Sequence, residues 1–132
     1  MGTSYLIDTN IISKLFDGLL TNDAIKFLSG LLIREQYISI INRIELFSWK
    51  DLKGEKLENV KTFIGEINEV ALSEAIAERT IKIRKERSIR LPDAIIAATA
   101  IEHNLTLLSD NDKDFGGISG LKYINPMKLG NE

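Results

Sequence analysis

The stretch Tyr5-Leu6-Ile7-Asp8-Thr9-Asn10 decides the fold of this chain. A short apolar run ends abruptly in a carboxylate, a hydroxyl and an amide. Such a run predicts a buried strand, which puts Asp8 at its C-terminal tip. In an open parallel sheet that tip borders the crevice where ligands bind. An aspartate there is either the cap of the next helix or the first ligand of a site, and the rest of the chain decides between them.

Beyond Asn10, residues 11–16 predict a short helix ending near Asp17-Gly18. Thr21 or Asn22 caps a second helix, whose Ala24, Phe27, Leu28 and Leu31 fall on one face. The β-branched run Tyr37-Ile38-Ser39-Ile40-Ile41 predicts a second strand, and Asn42 then reads as the N-cap of a helix through Trp49. Leu57, Val60, Ile64 and Ile67 mark a further amphipathic helix. Residues 69–72 form a weak third strand, and Ser73 caps a long helix running to about Arg87. Pro92 opens another helix, from Asp93 to about His103. Residues 105–108 and 122–124 give the last two strands, joined by a loop marked by Gly116, Gly117 and Gly120. Strands alternating with helices predict a single α/β domain over residues 1–132, with a mainly parallel sheet of four to five strands flanked by helices. No repeat or linker suggests a second unit.

Composition narrows the function. The apolar fraction of 44% and charged fraction of 27% are ordinary for a globular domain. The formal net charge of −2 argues against a protein that coats nucleic acid through bulk positive charge. Without cysteine there are no disulfides, thiolate metal sites or cysteine nucleophiles. No apolar run approaches the roughly 20 residues of a membrane span, and no secretory signal opens the sequence. The expectation is a cytoplasmic protein with no membrane partner.

Nineteen acidic residues are too many to weigh singly, so position is the filter. Asp8 ends the first strand, and Glu45 lies in the first turn of the helix expected after the second. Asp93 heads a helix that is apolar nearly all round, and Asp110, Asn111 and Asp112 follow the fourth strand. Each has a local explanation. Asp8 and Asp93 suit helix starts, Asn42-x-x-Glu45 has the spacing of a capping box, and residues 109–112 suit a polar turn. In a parallel sheet, however, these stations share one edge. Several desolvated carboxylates together require a cation or protonation. An oxygen-only set favours a hard divalent ion, Mg²⁺ or Mn²⁺.

Four segments in order carry a resemblance: residues 6–12 (LIDTNII), 42–46 (NRIEL), 91–100 (LPDAIIAATA) and 107–115 (LLSDNDKDF). The chain resembles the PIN-domain nucleases, and within them the VapC-type toxins of toxin–antitoxin pairs. Any one motif is weak, but the ordered set is specific and spans essentially the whole chain. The resemblance implies a PIN-like α/β/α sandwich and metal-dependent hydrolysis of RNA phosphodiester bonds, leaving 5′-phosphate and 3′-hydroxyl ends. The family's acidic triad maps onto Asp8, Glu45 and Asp93, which would hold one or two Mg²⁺ or Mn²⁺ ions. Asn10 and Ser109 match positions that support the ligands through hydrogen bonds. The fourth acidic place aligns with Asn111, flanked by carboxylates; Asp112 is assigned as the metal contact in its stead, with Asp110 and Asn111 as alternatives. The same resemblance implies three partners: an RNA substrate, a cognate antitoxin protein and a second copy in a homodimer. The apolar faces near Ile12, Leu15, Phe16 and Phe47 are candidates for these contacts as well as for the core.

A basic segment, Arg79 to Arg90, sets six cations against Glu86. Most of it reads as a solvated helix face, but Arg87 and Arg90 lead into the Asp93 helix and are assigned to the RNA backbone. Arg43, close to Glu45, is assigned the same role. Trp49 and Phe47 are able to stack on bases, but their spacing assigns them to the core. The lone His103 sits at a helix end, which leaves no paired-histidine ribonuclease. A haloacid-dehalogenase phosphatase wants a second aspartate where Asn10 stands, and a receiver domain wants an acidic pair and a later strand-end lysine, neither in place. The remaining alternative is a non-catalytic PIN-fold RNA-binding or scaffold protein, which loss of a triad member would favour; the triad is intact.

Overall fold

The computed structural model describes residues 2–130. The chain runs β1 (Tyr5–Ile7), α1 (Thr9–Asp17), α2 (Asn22–Ser29), β2 (Gln36–Ser39), α3 (Ile40–Phe47) and α4 (Gly54–Glu66), then β3 (Asn68–Val70) and α5 (Glu74–Glu86). It ends with α6 (Leu91–Glu102), β4 (Thr106–Leu108), α7 (Asp112–Phe115) and β5 (Lys122–Ile124). All five strands are parallel, in the order β3-β2-β1-β4-β5. The chain winds outward from β1 to β3, then crosses back to β4 beside β1. The strand order therefore reverses between β1 and β4, where an open α/β sheet leaves its ligand crevice. Asp8 and Ser109 are the first residues beyond those two strands.

Alternation along the central strands divides the core into two layers. Leu6 lies opposite Leu107 and Ile7 opposite Leu108. Leu6 and Leu107 pack with Ile76, Ile83 and Ile96, beneath α5 and α6. Ile7 and Leu108 pack with Ile11, Leu46 and Val60, beneath α1, α3 and α4. Burying each such side chain fully contributes about 1.5–3 kcal/mol. The α/β/α sandwich is therefore a consequence of both faces of these strands being apolar. Among the described residues no helix is long and apolar enough to cross a membrane.

Local chemistry fixes the helix ends. Thr21 accepts from the Ala24 amide at 3.1 Å to open α2, and Ser73 accepts from Ile76 at 3.2 Å to open α5. Gly18 closes α1 in the left-handed region at φ 70°. Pro92 stands one place inside the helix start, with Leu91 the first residue of α6.

Three expectations are corrected. The second strand stops at Ser39, and Ile40-Ile41 belong to the first turn of α3. The capping box is Ser39 with Asn42, not Asn42 with Glu45: Ser39 Oγ accepts from Ile41 N at 3.0 Å, and Asn42 Oδ1 accepts from Ser39 N at 2.9 Å. A box closing at Ser39 overrides the β preference of the two isoleucines. The turn after β4 also winds into the short helix α7, because Asn111 Oδ1 accepts from Asp114 N at 3.3 Å.

Candidate active site

Asp8 caps α1 and faces the crevice at once, so its two sequence readings describe one residue. Its Oδ1 accepts from Thr9 N at 2.9 Å and from Asn42 Nδ2 at 3.3 Å. Its Oδ2 accepts from Ser109 Oγ at 2.8 Å. All three donors are neutral, and among the described residues no cation pairs with it. Burial pushes the Asp8 carboxyl up to about 6, with the charges of Asp93 and Glu45 adding to the rise. This is a buried acid lacking a counter-charge.

Glu45 sits in the second turn of α3, and Thr9 Oγ1 donates to its Oε1 at 3.0 Å. Asp93, in the first turn of α6, is buried and takes Arg90 Nε at 3.2 Å and Nη2 at 3.1 Å on one oxygen. Burial, and then Asp114 beside it, raise the Asp93 pKa against the pull of Arg90. Burial also pushes Asp114 up, but hydrogen bonds from Asp93 and Asn111 and the charge of Arg90 outweigh it and leave Asp114 lowered. Ser109 Oγ, fully buried, also accepts from Asn10 Nδ2 at 3.3 Å and Asn111 N at 3.1 Å. It ties the ends of β1 and β4 together. Asp8, Asn10, Glu45, Asp93, Arg90 and Asn111 line one cleft of about 330 Å³.

Four sequence assignments are not brought to this cleft. Asp112 turns away, its Oδ1 accepting from Tyr123 Oη at 2.5 Å and Asn125 Nδ2 at 3.1 Å while Lys128 pairs with Oδ2. The Lys128 and Tyr123 hydrogen bonds hold it down at about 2. Asp110 pairs with Lys14. Arg43 pairs with Glu69 beside β3. Arg87 donates to the carbonyls of Gly116 and Lys113 and so tethers the end of α7. For Asp112 the winding of α7 is the cause, since it carries Asp112 to one side and Asp114 to the other.

The residues missed by sequence are Thr9, Asn42, Lys14 and Asp114. Asn42 is fully buried, and its Nδ2 donates to Thr9 Oγ1 at 3.0 Å as well as to Asp8. The Ser39-x-x-Asn42 spacing was the available signal. Lys14 lines the cleft from α1. Nothing local distinguished it from any helix lysine.

A family model described as the PIN domain matches residues 5–121. The chain belongs to the PIN domain family. This PIN domain is similar to a chain of a toxin–antitoxin complex from Klebsiella pneumoniae, at 36% identity and TM-score 0.78, covering 93% of this chain and 98% of that one. It is similar to a chain of FitAcB from Neisseria gonorrhoeae, at 25% identity and TM-score 0.80, covering 95% and 99%. A chain of DNA-bound VapBC from Salmonella typhimurium shares the fold at 22% identity and TM-score 0.78, covering 95% and 99%. No protein of curated function matches the sequence. The expected membership of the PIN-domain family is borne out.

The donor set of this PIN domain suits a hard cation, with carboxylate and amide oxygens only. Asp8 supplies the uncompensated charge. Among the described residues no three acidic, histidine or cysteine side chains stand preassembled around one point, and Asp93 is turned onto Arg90. Asp114→Asn is expected to weaken Mn²⁺ affinity about tenfold or more, whereas Asp112→Asn changes it less than about threefold. Calorimetric titration of the two variants checks which acid is the fourth corner.

Proposed function

We propose that this PIN domain is a Mg²⁺- or Mn²⁺-dependent endoribonuclease, the toxin of a cytoplasmic toxin–antitoxin pair. The observation that carries the proposal is Asp8, a buried carboxylate with three neutral donors, no cation and two further acids beside it. Asp8, Asp93 and Glu45 would hold the ion, with Asp114 at the fourth corner in place of Asp112. A divalent ion bound there supplies charge neutralisation at the phosphoryl oxygens and lowers the pKa of water.

The chain's own groups do the rest. Ser109, Thr9 and Asn42 fix both oxygens of Asp8, so its orientation needs no rearrangement. Thr9 Oγ1 holds Glu45 in reach of the same space, where it orients a ligand or a water molecule. Arg90, largely exposed and resting on Asp93, is free to swing onto a phosphate oxygen when Asp93 acquires another counter-charge. Lys14 offers a second cation in the same cleft. These two local cations are what let an acidic protein approach a polyanion.

The antitoxin is the proposed partner, supported by the likeness to a chain of a toxin–antitoxin complex. An apolar cavity of about 190 Å³ lined by Ile11, Leu15, Leu28 and Phe63 is the proposed contact. Ile12 is fully buried, and Phe16 and Phe47 pack against the core beside it. A homodimer is proposed through the exposed Ile44, Ile81 and Leu91.

Purified protein is expected to cleave RNA with Mg²⁺ or Mn²⁺ and to stop when EDTA removes the ion. Cleavage that continues undiminished in excess EDTA overturns the proposal.

A further inference from the structure

We infer that Trp49 is a stacking shelf for an unpaired nucleobase, making the cleft select RNA with a single-stranded nucleotide beside the scissile phosphodiester; this rests on the ribonuclease proposal above. Trp49 is the only tryptophan of the chain. It lies two residues past the end of α3, beyond the C-cap Ser48, and its N–H reaches the Leu46 carbonyl at 3.5 Å. It lines the same cleft as Glu45, four residues earlier in the chain. The indole accordingly lines the acidic cleft rather than entering the core. Phe47, two residues earlier, takes the core place that sequence assigned to both.

The indole has no aromatic partner of its own. The aromatic pairs of the described residues are Tyr5 with Phe27, Phe16 with Phe63 and Phe115 with Tyr123. Trp49 is 42% exposed, and Leu19, in the same cleft, is 61% exposed. Apolar surface of this size beside a charged centre gains by acquiring a flat apolar face from a ligand.

What shares the cleft identifies that ligand. Lys14 and Arg90 bring cationic heads for phosphate oxygens, each resting on a carboxylate meanwhile. An aromatic face beside paired cations matches a nucleotide, with its base on the indole and its phosphates on the cations. A base within a duplex has both faces covered by its neighbours and cannot reach the indole. Inorganic phosphate uses the cations alone.

The lone tryptophan reports the contact directly. Full-length Asp8→Asn protein, which leaves RNA intact under the ribonuclease proposal, is titrated in EDTA with single-stranded hexanucleotide RNA, the same strands in a duplex, and inorganic phosphate. Trp49 fluorescence is expected to be quenched by the single strand and not by the other two. In wild-type protein, Trp49→Ala is expected to raise KM for single-stranded RNA about tenfold or more, with kcat changed less than threefold and Trp49→Phe restoring most of the loss. No quenching by the single strand, equal quenching by duplex, or an unchanged KM in Trp49→Ala overturns the shelf and leaves the nuclease proposal standing. Wild-type protein that fails to cut any RNA overturns the nuclease proposal instead, and the fluorescence titration then decides the shelf alone.

Discussion

Replacing Asp8 with asparagine is expected to abolish cleavage and, in the same protein without metal, to raise stability at neutral pH. The loss of activity should be on the order of 10³-fold, because an anionic ligand at the charge-stabilising centre contributes several kcal/mol. The gain in stability has a separate origin. Burial holds the Asp8 carboxyl at about 6 in the folded protein against an ordinary value of 3.8. A raised folded value means that the favourable contribution is complete below the ordinary value and is lost as pH rises through about 6. Ionised at pH 7.5 with no metal, Asp8 therefore costs about 3 kcal/mol. Asparagine carries no such cost. Its oxygen keeps the Thr9 and Asn42 donors, and its amide meets Ser109 Oγ, whose proton can turn toward Asn10 Oδ1 at 3.5 Å. Urea unfolding in EDTA at pH 5 and pH 7.5 measures the difference. The wild type should lose stability between those values and recover it on adding Mn²⁺, since a ligand bound only to the folded state stabilises it. The variant should do neither. A variant that remains active, or whose pH dependence matches wild type, removes Asp8 from the metal site.

The second large effect belongs to Asn42. Asn42→Ala removes the acceptor for Ser39 N–H and the donor to both Asp8 Oδ1 and Thr9 Oγ1, at a position with no solvent access. Loss of the cap costs about 1 kcal/mol, and buried groups left unpaired cost about 1–3 kcal/mol more. The expected destabilisation is about 3 kcal/mol, roughly 10 °C in Tm for a domain of this size. Asn42→Asp separates the two roles. It keeps an acceptor for Ser39 N–H but sets a second carboxylate against Asp8. It should therefore be least stable near pH 7.5 in EDTA and regain stability on acidification, whereas Asn42→Ala should show no such recovery. If both variants melt within about 2 °C of wild type, the link from β2 through Asn42 to Asp8 is not structural.

Asn42 also shows how far a sequence reading reaches. Its polar character beside Glu45 was visible, and a capping role was the correct physics applied with the wrong register. Periodicity cannot distinguish a strand ending at Ile41 from one ending at Ser39 when both isoleucines suit either state. The box that ends the strand is local, but the contact that gives Asn42 its place in the site, with Asp8, joins residues 34 apart in sequence. Asp112 and Asp114 pose the same problem on a smaller scale. Both are aspartates in a polar turn, and only the winding of α7 about Asn111 sends one to Tyr123 and the other to Asp93. Trp49 was assigned to the core because an aromatic residue in an amphipathic helix normally belongs there. It lies past the C-cap of α3, where it lines the acidic cleft instead.

The sequence by itself determined the alternation of strands and helices, the two-sided burial of β1 and β4, the family, and the convergence of Asp8, Glu45 and Asp93. The family was carried by the resemblance of four ordered motifs; the rest follows from local apolar runs and from the rule that parallel strands deliver their C-terminal ends to one edge, both of which act over a few residues or through topology alone. Tertiary structure decided which polar neighbours complete the site: Asn42 beneath Asp8, Asp114 in place of Asp112, and Lys14 and Arg90 as the cleft's cations where Arg43 and Arg87 are engaged elsewhere. A side chain's direction depends on helix phase to within a single residue and on partners that only folding brings near, so no local pattern carries that information.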